Sequence, residues 1–262
     1  MDRIIHDTNC AGVSCAVSVS GLKKRFGNNP AVFDDISMSV AHGESVAVIG
    51  ANGTGKSTLM RALIRLTDVE AGTIEVLGQP VRTLEGKALR TLRSRVGFVF
   101  QKHNLVSRLS ALSNVIHGAQ ARSSSPRCWA QWAAPAALRE EALACLERVG
   151  LADRARQRAD SLSGGQSQRV AIARMLMQRP ELVIADEPDA SLDPKAGAEV
   201  MNLLYKLTRE SDLALVFVSH HMEHAAAYAD RIIGLGQGRV TLDTPASSAR
   251  IEDLKNFFNN PL

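Results

Sequence analysis

No stretch of roughly 18 apolar residues occurs in the 262-residue chain, and Met1-Asp2-Arg3-Ile4-Ile5-His6-Asp7 lacks the charged-then-apolar order of an export leader. The expectation is a protein neither exported nor membrane-spanning by itself, so that any membrane contact comes through a partner. Long runs of one charge are missing too. The net charge is +4 and no basic run exceeds Lys23-Lys24-Arg25, which fits a solvated surface and leaves nucleic acid without support. The four cysteines, Cys10, Cys15, Cys128 and Cys145, form no CxxC pair and no regular framework. Cys10 and Cys15 could pair or bind metal, but no histidine is spaced to complete such a site, so free thiols in a reducing cytoplasm are expected. No internal repeat is visible. An apolar share of 45% with 22% charged residues excludes disorder and coiled coil. A chain of this length buries a real core, either as one large α/β domain or as a core with a smaller lobe.

What is present is most informative at Gly50-Ala51-Asn52-Gly53-Thr54-Gly55-Lys56-Ser57-Thr58. The stretch follows the apolar run Ser45 to Ile49 and opens a helical pattern, Leu59 to Leu66, so strand, glycine-rich turn and helix come in the order a phosphate-binding loop requires. Small residues at Gly50, Gly53 and Gly55 let backbone N–H groups close around phosphate oxygens, and the helix contributes its positive end. Lys56 is placed to reach the outer phosphates and the Ser57 hydroxyl to sit on Mg²⁺. A ligand-free glycine turn is a poor alternative for three glycines, a lysine and two hydroxyls in this order.

Ahead of this loop, Cys15 to Val19 and Val32 to Val40 alternate as half-buried strands do, predicting an antiparallel layer after a loose extension over 1–14. Phe26, before the turn cluster Gly27-Asn28-Asn29-Pro30, is either a core aromatic or a ring exposed for base stacking, with core the default. After the loop helix come a strand at Gly72–Val76, a basic helix from Leu84 to Arg95, and a short strand over Val96–Phe100 ending at Gln101. Residues 102–160 change character: strand signals fade, Ser123-Ser124-Ser125-Pro126 breaks the chain, and Leu138, Leu143, Leu146 and Val149 mark a helix, so a mainly helical lobe is expected inside an α/β core of 15–101 and 161–243. Leu182–Ala185 and Leu213–Val218 read as buried parallel strands, with a helix from Pro194 to about Arg209 between them. Residues 244–262 are left as a tail.

Asp186 and Glu187 end the apolar strand at the edge where open parallel sheets bind ligands. Asp186 can hold Mg²⁺ and Glu187 can polarise a water attacking a γ-phosphate. At this point the chain resembles the ATP-binding cassette ATPases of ABC transporters over nearly its whole length. Leu162-Ser163-Gly164-Gly165-Gln166 matches the family's signature motif, Gln101 its Q-loop, Ser191-Leu192-Asp193 its D-loop, and Ser219-His220 its switch histidine. The resemblance implies a P-loop NTPase, RecA-like, with a parallel-sheet core, an N-terminal antiparallel β layer and an inserted helical subdomain.

It also implies roles. Gly50, Asn52, Gly53, Gly55, Lys56, Ser57 and Thr58 would hold the phosphates of ATP, Phe26 would stack on adenine, and Ser57, Gln101 and Asp186 would hold Mg²⁺. Glu187 would be the base, with His220 and Gln101 completing the catalytic set. Ser163, Gly164, Gly165, Gln166 and Asp193 would serve the ATP of a second copy, making a homodimer part of the mechanism. Integral-membrane permease subunits would be the direct partners, a periplasmic solute-binding protein an indirect one, and the cytoplasmic face of the membrane the location. The stretch Phe100 to Ser110 and the extension Ser123 to Ala137, with Trp129 and Trp132, are similar to ATPase subunits of phosphonate importers; phosphite is equally compatible. The rival within the family is a soluble ATPase acting on nucleic acid or ribosomes, which would normally carry two cassettes or a coiled-coil insertion. Ser167, Asp189 and His221 depart from the commonest family pattern. His220, His221 and His224 invite a zinc reading, but only two of them would face one way and the H-E-x-x-H order of metalloproteases is absent, so the switch reading takes His220 and leaves His221 and His224 expected at the surface.

Overall fold

The computed structural model describes residues 15–27, 30–122 and 132–259. It opens with β1 (Cys15–Arg25), β2 (Ala31–Ala41) and β3 (Ser45–Ile49), then α1 (Lys56–Leu63), β4 (Ala71–Val76), β5 (Gln79–Pro80), α2 (Gly86–Arg95) and β6 (Val96–Val99). Helices α3 (Ala111–Ile116), α4 (Ala136–Arg148) and α5 (Gly164–Met177) follow. The chain then alternates through β7 (Leu182–Asp186), α6 (Pro194–Glu210), β8 (Ala214–Val218) and α7 (Met222–Tyr228), and closes with β9 (Arg231–Gly236), β10 (Arg239–Pro245) and α8 (Ile251–Asn259).

All ten strands join one sheet in the order β5-β4-β1-β2-β10-β9-β3-β8-β7-β6. β1 pairs antiparallel with β2 and β4, whereas β9, β3, β8, β7 and β6 run parallel. A single register pair, Arg239 with Asp35, couples the two parts through β10 and β2. Every residue of β3, β7 and β8 is buried, which is why these strands read as continuous apolar runs. The period of two divides their side chains between two cores. Val46, Val48, Leu182, Ile184, Val216 and Val218 face α1 and the antiparallel layer. Ala47, Ile49, Val183, Ala185, Leu215 and Phe217 face the core built with α3, α4, α5 and α6.

The segment between β6 and α5 leaves and re-enters the core through adjacent backbones. Ala111 N donates to Gln157 O at 2.8 Å, Ala159 N to Leu109 O at 2.9 Å, and Asp160 N to Ser107 O at 3.0 Å. Glu141 on α4 joins Arg122 at 2.6 Å and Arg179, just past α5, at 2.9 Å. Asn114, fully buried on α3, accepts from Val106 N at 2.8 Å and donates to Ser110 O at 3.0 Å, so the loop before the helix is fastened to it.

Two expectations need correction here. Cys15 is disulfide-bonded rather than free, and buried Cys145 is the free thiol among the described residues. Phe26 is 46% exposed and therefore not a core residue. The break at Ser123 to Pro126 and Trp129 lie outside the described residues; Trp132 is exposed.

Candidate functional site

Parallel strands bring their carboxyl ends to one edge, and four of them deliver the predicted residues there: β3 runs into Gly50, β6 toward Gln101, β7 into Asp186 and Glu187, and β8 into Ser219 and His220. At Gly50 the backbone adopts φ 148°, and a Cβ would stand 2.4 Å from Leu235 O, so a side chain is excluded. α1 begins behind Gly55, which offers no side-chain cap and leaves the first helical N–H groups open to an anion. Asn52 and Gly53 stand exposed at the loop tip, while Ser57 and Thr58 lie half-buried in the first helical turn. Lys56 is 4% exposed and donates from Nζ to Gly50 O at 2.7 Å and Ala51 O at 2.9 Å. Burial pushes its pKa down, against the opposing pull of the Glu187 and Asp186 carboxylates.

Asp186 is nearly inaccessible and accepts from Ser57 Oγ at 2.8 Å, which ties the end of β7 to the first turn of α1. Burial raises its pKa, the Ser57 hydrogen bond opposes that, and the neighbouring Glu187 charge adds to it. Glu187 has φ 53°, the left-handed region that non-glycine residues seldom occupy. Its N–H donates to Val218 O at 3.2 Å, and its Oε1 lies 2.6 Å from His220 Nε2. Gln101 is exposed two residues beyond the last residue of β6, whose Val99 registers against Ala185 of β7. Phe26 projects from the end of β1 with Lys24 Nζ 4.7 Å from its ring centre.

Beneath these groups lies a cluster the sequence did not assemble. Asp189, 2% exposed, accepts from Ser219 Oγ at 3.0 Å and pairs with His224 Nδ1 at 2.6 Å, while His221 N donates to Ser219 Oγ at 3.1 Å. Burial raises the Asp189 pKa, but the hydrogen bond and charge of His224 and the bond from Ser219 outweigh it and hold the carboxyl below its ordinary value. α7 begins at Met222, after His220, and the histidine side chains diverge to separate carboxylates. Hence the described residues hold no metal-type cluster, and His224 is not a surface residue. The signal was present in the departure at Asp189, a carboxylate where the commonest pattern has none.

On another face, Ser163 caps α5 through a reciprocal pair: Ser163 Oγ accepts from Gln166 N at 3.3 Å, and Gln166 Oε1 accepts from Ser163 N at 3.0 Å. Asp193 caps α6, accepting from Ala196 N at 3.0 Å. Both helix starts open onto one cavity of about 480 Å³ shared by Gly164, Gly165, Arg154 and Arg169. The two helix N-termini favour an anion there, while Arg154 and Arg169 are paired with Asp153 and Glu199, which line the same cavity. The structure thus brings the loop, the carboxylate pair and His220 to one edge and sets Ser163, Gly164, Gly165, Gln166 and Asp193 around a separate cavity.

A family profile described as ABC transporter matches residues 33–190. The chain belongs to the ABC transporter family. It is an ATPase of that family and binds nucleotide. The phosphate-import ATP-binding protein PhnC of Mycolicibacterium smegmatis is 48% identical over 93% of this chain and 92% of its own length. The phosphonates import ATP-binding protein PhnC of Frankia casuarinae is 49% identical over 88% of this chain and 90% of its own. Among solved structures, a dimeric ATP-binding cassette bound to ADP and Pi in a post-hydrolysis state aligns with TM-score 0.77 at 31% identity, covering 88% of this chain and 98% of that one. The ABC transporter fold, with its P-loop and parallel core, is the architecture expected from the sequence.

Proposed function

We propose that the chain is the ATP-hydrolysing subunit of a bacterial importer for phosphonate or phosphite. The reading of the catalytic edge rests on Glu187 and His220, 2.6 Å apart beside the phosphate-binding loop. Gly50, Asn52, Gly53, Gly55, Lys56 and Thr58 bind the phosphates, with Lys56 exchanging its two carbonyl acceptors for phosphate oxygens, and Phe26 stacks on the base. Glu187 accepts the proton of the attacking water, and His220 keeps that carboxylate oriented and contacts the γ-phosphate. Ser57, Gln101 and Asp186 are oxygen donors suited to Mg²⁺, and the 2.8 Å bond from Ser57 Oγ to Asp186 sets two of them side by side. When bound, the ion supplies charge neutralisation on the phosphates.

The separate cavity of Ser163, Gly164, Gly165, Gln166 and Asp193 supports a second role, as the cap over ATP held by another copy. Two copies then enclose two nucleotides, and residues 102–160 carry the closing motion to permease subunits. No helix among the described residues is long and apolar enough to cross a membrane. In this reading the chain meets the cytoplasmic face of the membrane through those permeases. The names of the relatives, phosphate import and phosphonates import, support a phosphorus oxyanion as the solute. A solute-binding protein would deliver it.

Reconstitution with the cognate permease and binding protein tests this reading. Phosphonate or phosphite is expected to stimulate ATP hydrolysis. A response to phosphate alone would move the solute assignment, and response to none of the three would remove it.

A further inference from the structure

The C-terminal helix α8 makes contacts at the catalytic edge that a passive tail would not. Its apolar residues follow the i, i+3, i+4 spacing of one helical face, Leu254, Phe257 and Phe258, and each has a separate contact. Leu254 is buried in the core below. Phe257 packs closely on β9 at Gly234, where a Cβ would stand 2.6 Å from two of its ring carbons, so this strand carries glycine to admit the ring. Lys255 fastens the helix to α7 through Glu223 at 2.7 Å. With the helix held at these three points, Phe258 packs nearly perpendicular to the His220 imidazole, ring centres 5.6 Å apart and planes at 78°. The opposite restraint on that imidazole is the 2.6 Å contact from Nε2 to Glu187.

We propose that Phe258 is a positioning residue for His220: through α8, the end of the chain fixes the rotamer in which His220 faces Glu187 and the γ-phosphate. This rests on the reading of His220 given above. A perpendicular ring contact restricts rotation of the imidazole and forms no hydrogen bond of its own with Glu187, which holds Nε2. Phe258 therefore orients His220 while leaving its proton and hydrogen-bond capacity to the reaction.

The test uses the full chain assembled with its permease, measuring kcat and KM for ATP. Phe258→Ala is expected to lower kcat about three- to ten-fold with KM unchanged, the range an aromatic contact of ordinary strength allows. Phe258→Tyr, which keeps the ring, restores turnover. The double variant with His220→Ala falls no further than His220→Ala alone, because both act at one point. If Phe258→Ala does not fold, Phe258→Leu keeps most of the volume and removes the ring; it is expected to shift the NMR resonances of the His220 imidazole and lower kcat. Wild-type kcat in a folded Phe258→Ala or Phe258→Leu protein, or losses that multiply in the double variant, would overturn the proposal alone. Wild-type turnover in His220→Ala would instead remove the reading of His220 on which it rests.

Discussion

His224 Nδ1, on α7, and Asp189 Oδ2, in the loop that leaves β7, lie 2.6 Å apart, thirty-five residues apart in sequence. The contact joins the loop carrying Glu187 to the helix that follows His220, so the two groups read as catalytic share a buried support that touches neither of them. Ser219, completely buried, donates the second bond to the same carboxylate oxygen. Removing the His224 partner strands a carboxylate in an apolar interior. His224→Ala is expected to cost about 2 kcal/mol in equilibrium unfolding, the range of a lost bond to a charged group. A loss within experimental error of zero would show that Ser219 alone satisfies Asp189.

The same pair sets a pH dependence with a definite sign. Asp189 is held below its ordinary pKa, so its folded state binds a proton less readily than the unfolded chain does. The stability it contributes is complete above the unfolded value of about 4 and is lost as pH falls from there through the depressed folded value. Asp189→Asn is therefore expected to be destabilised relative to wild type at pH 7, with the gap narrowing below about pH 4. Unfolding curves at pH 7, 5 and 3.5 decide it; a gap that widens in acid would reverse the sign.

Glu187 stands in a left-handed backbone conformation at the end of a fully buried strand, which aims its carboxylate at His220 rather than back into the sheet. Glu187→Gln retains the shape and the acceptor oxygen and removes the base. Nucleotide affinity is expected to persist and the closed dimer to accumulate, while kcat falls by about 10²–10⁴. Near-normal phosphate release by this variant would assign the base elsewhere.

Much of this was legible from local pattern, and the remainder was not for identifiable reasons. The strands β3, β7 and β8 are short all-buried runs whose composition permits little else, and the glycine loop announces its own turn. Asp189 and His224 were visible as residues but not as a pair, because their contact depends on β7 lying beside β8. α8 carried a readable apolar face, but nine residues with no tertiary context do not make a helix stable on its own. Phe26 was misjudged by default: apolar residues are usual inside, yet much of any surface is apolar, and this ring ends a strand at the rim. Cys15 was misread because a disulfide depends on where the chain brings its partner, which spacing alone does not give.

Lys56 is nearly buried, and its ammonium spends both observed bonds on the carbonyls of its own loop. Phosphate oxygens offer a better, charged acceptor at the same place, so the lysine can exchange the loop carbonyls for the nucleotide's phosphates. Lys56→Ala is expected to weaken ATP binding by about thirty- to a hundred-fold, ~2–3 kcal/mol, in a fluorescence titration. Unchanged affinity would count against the loop as the phosphate site.

If each site is divided between two copies, the loop of one and the Ser163 cap of the other, the defects of Lys56→Ala and Ser163→Ala separate. Ser163→Ala alone is expected to bind ATP normally as a monomer and to fail in ATP-dependent dimerisation, because the removed hydroxyl lies in the α5 cavity rather than beside Lys56. In a dimer of one Lys56→Ala chain with one Ser163→Ala chain, both lesions fall on a single site and the other site is intact. Such a mixed dimer should therefore show more ATP hydrolysis than either variant by itself, measured after mixing the purified chains. Activity no higher than that of the separate variants would mean that each chain completes its own site, and that Ser163 does not act across a dimer.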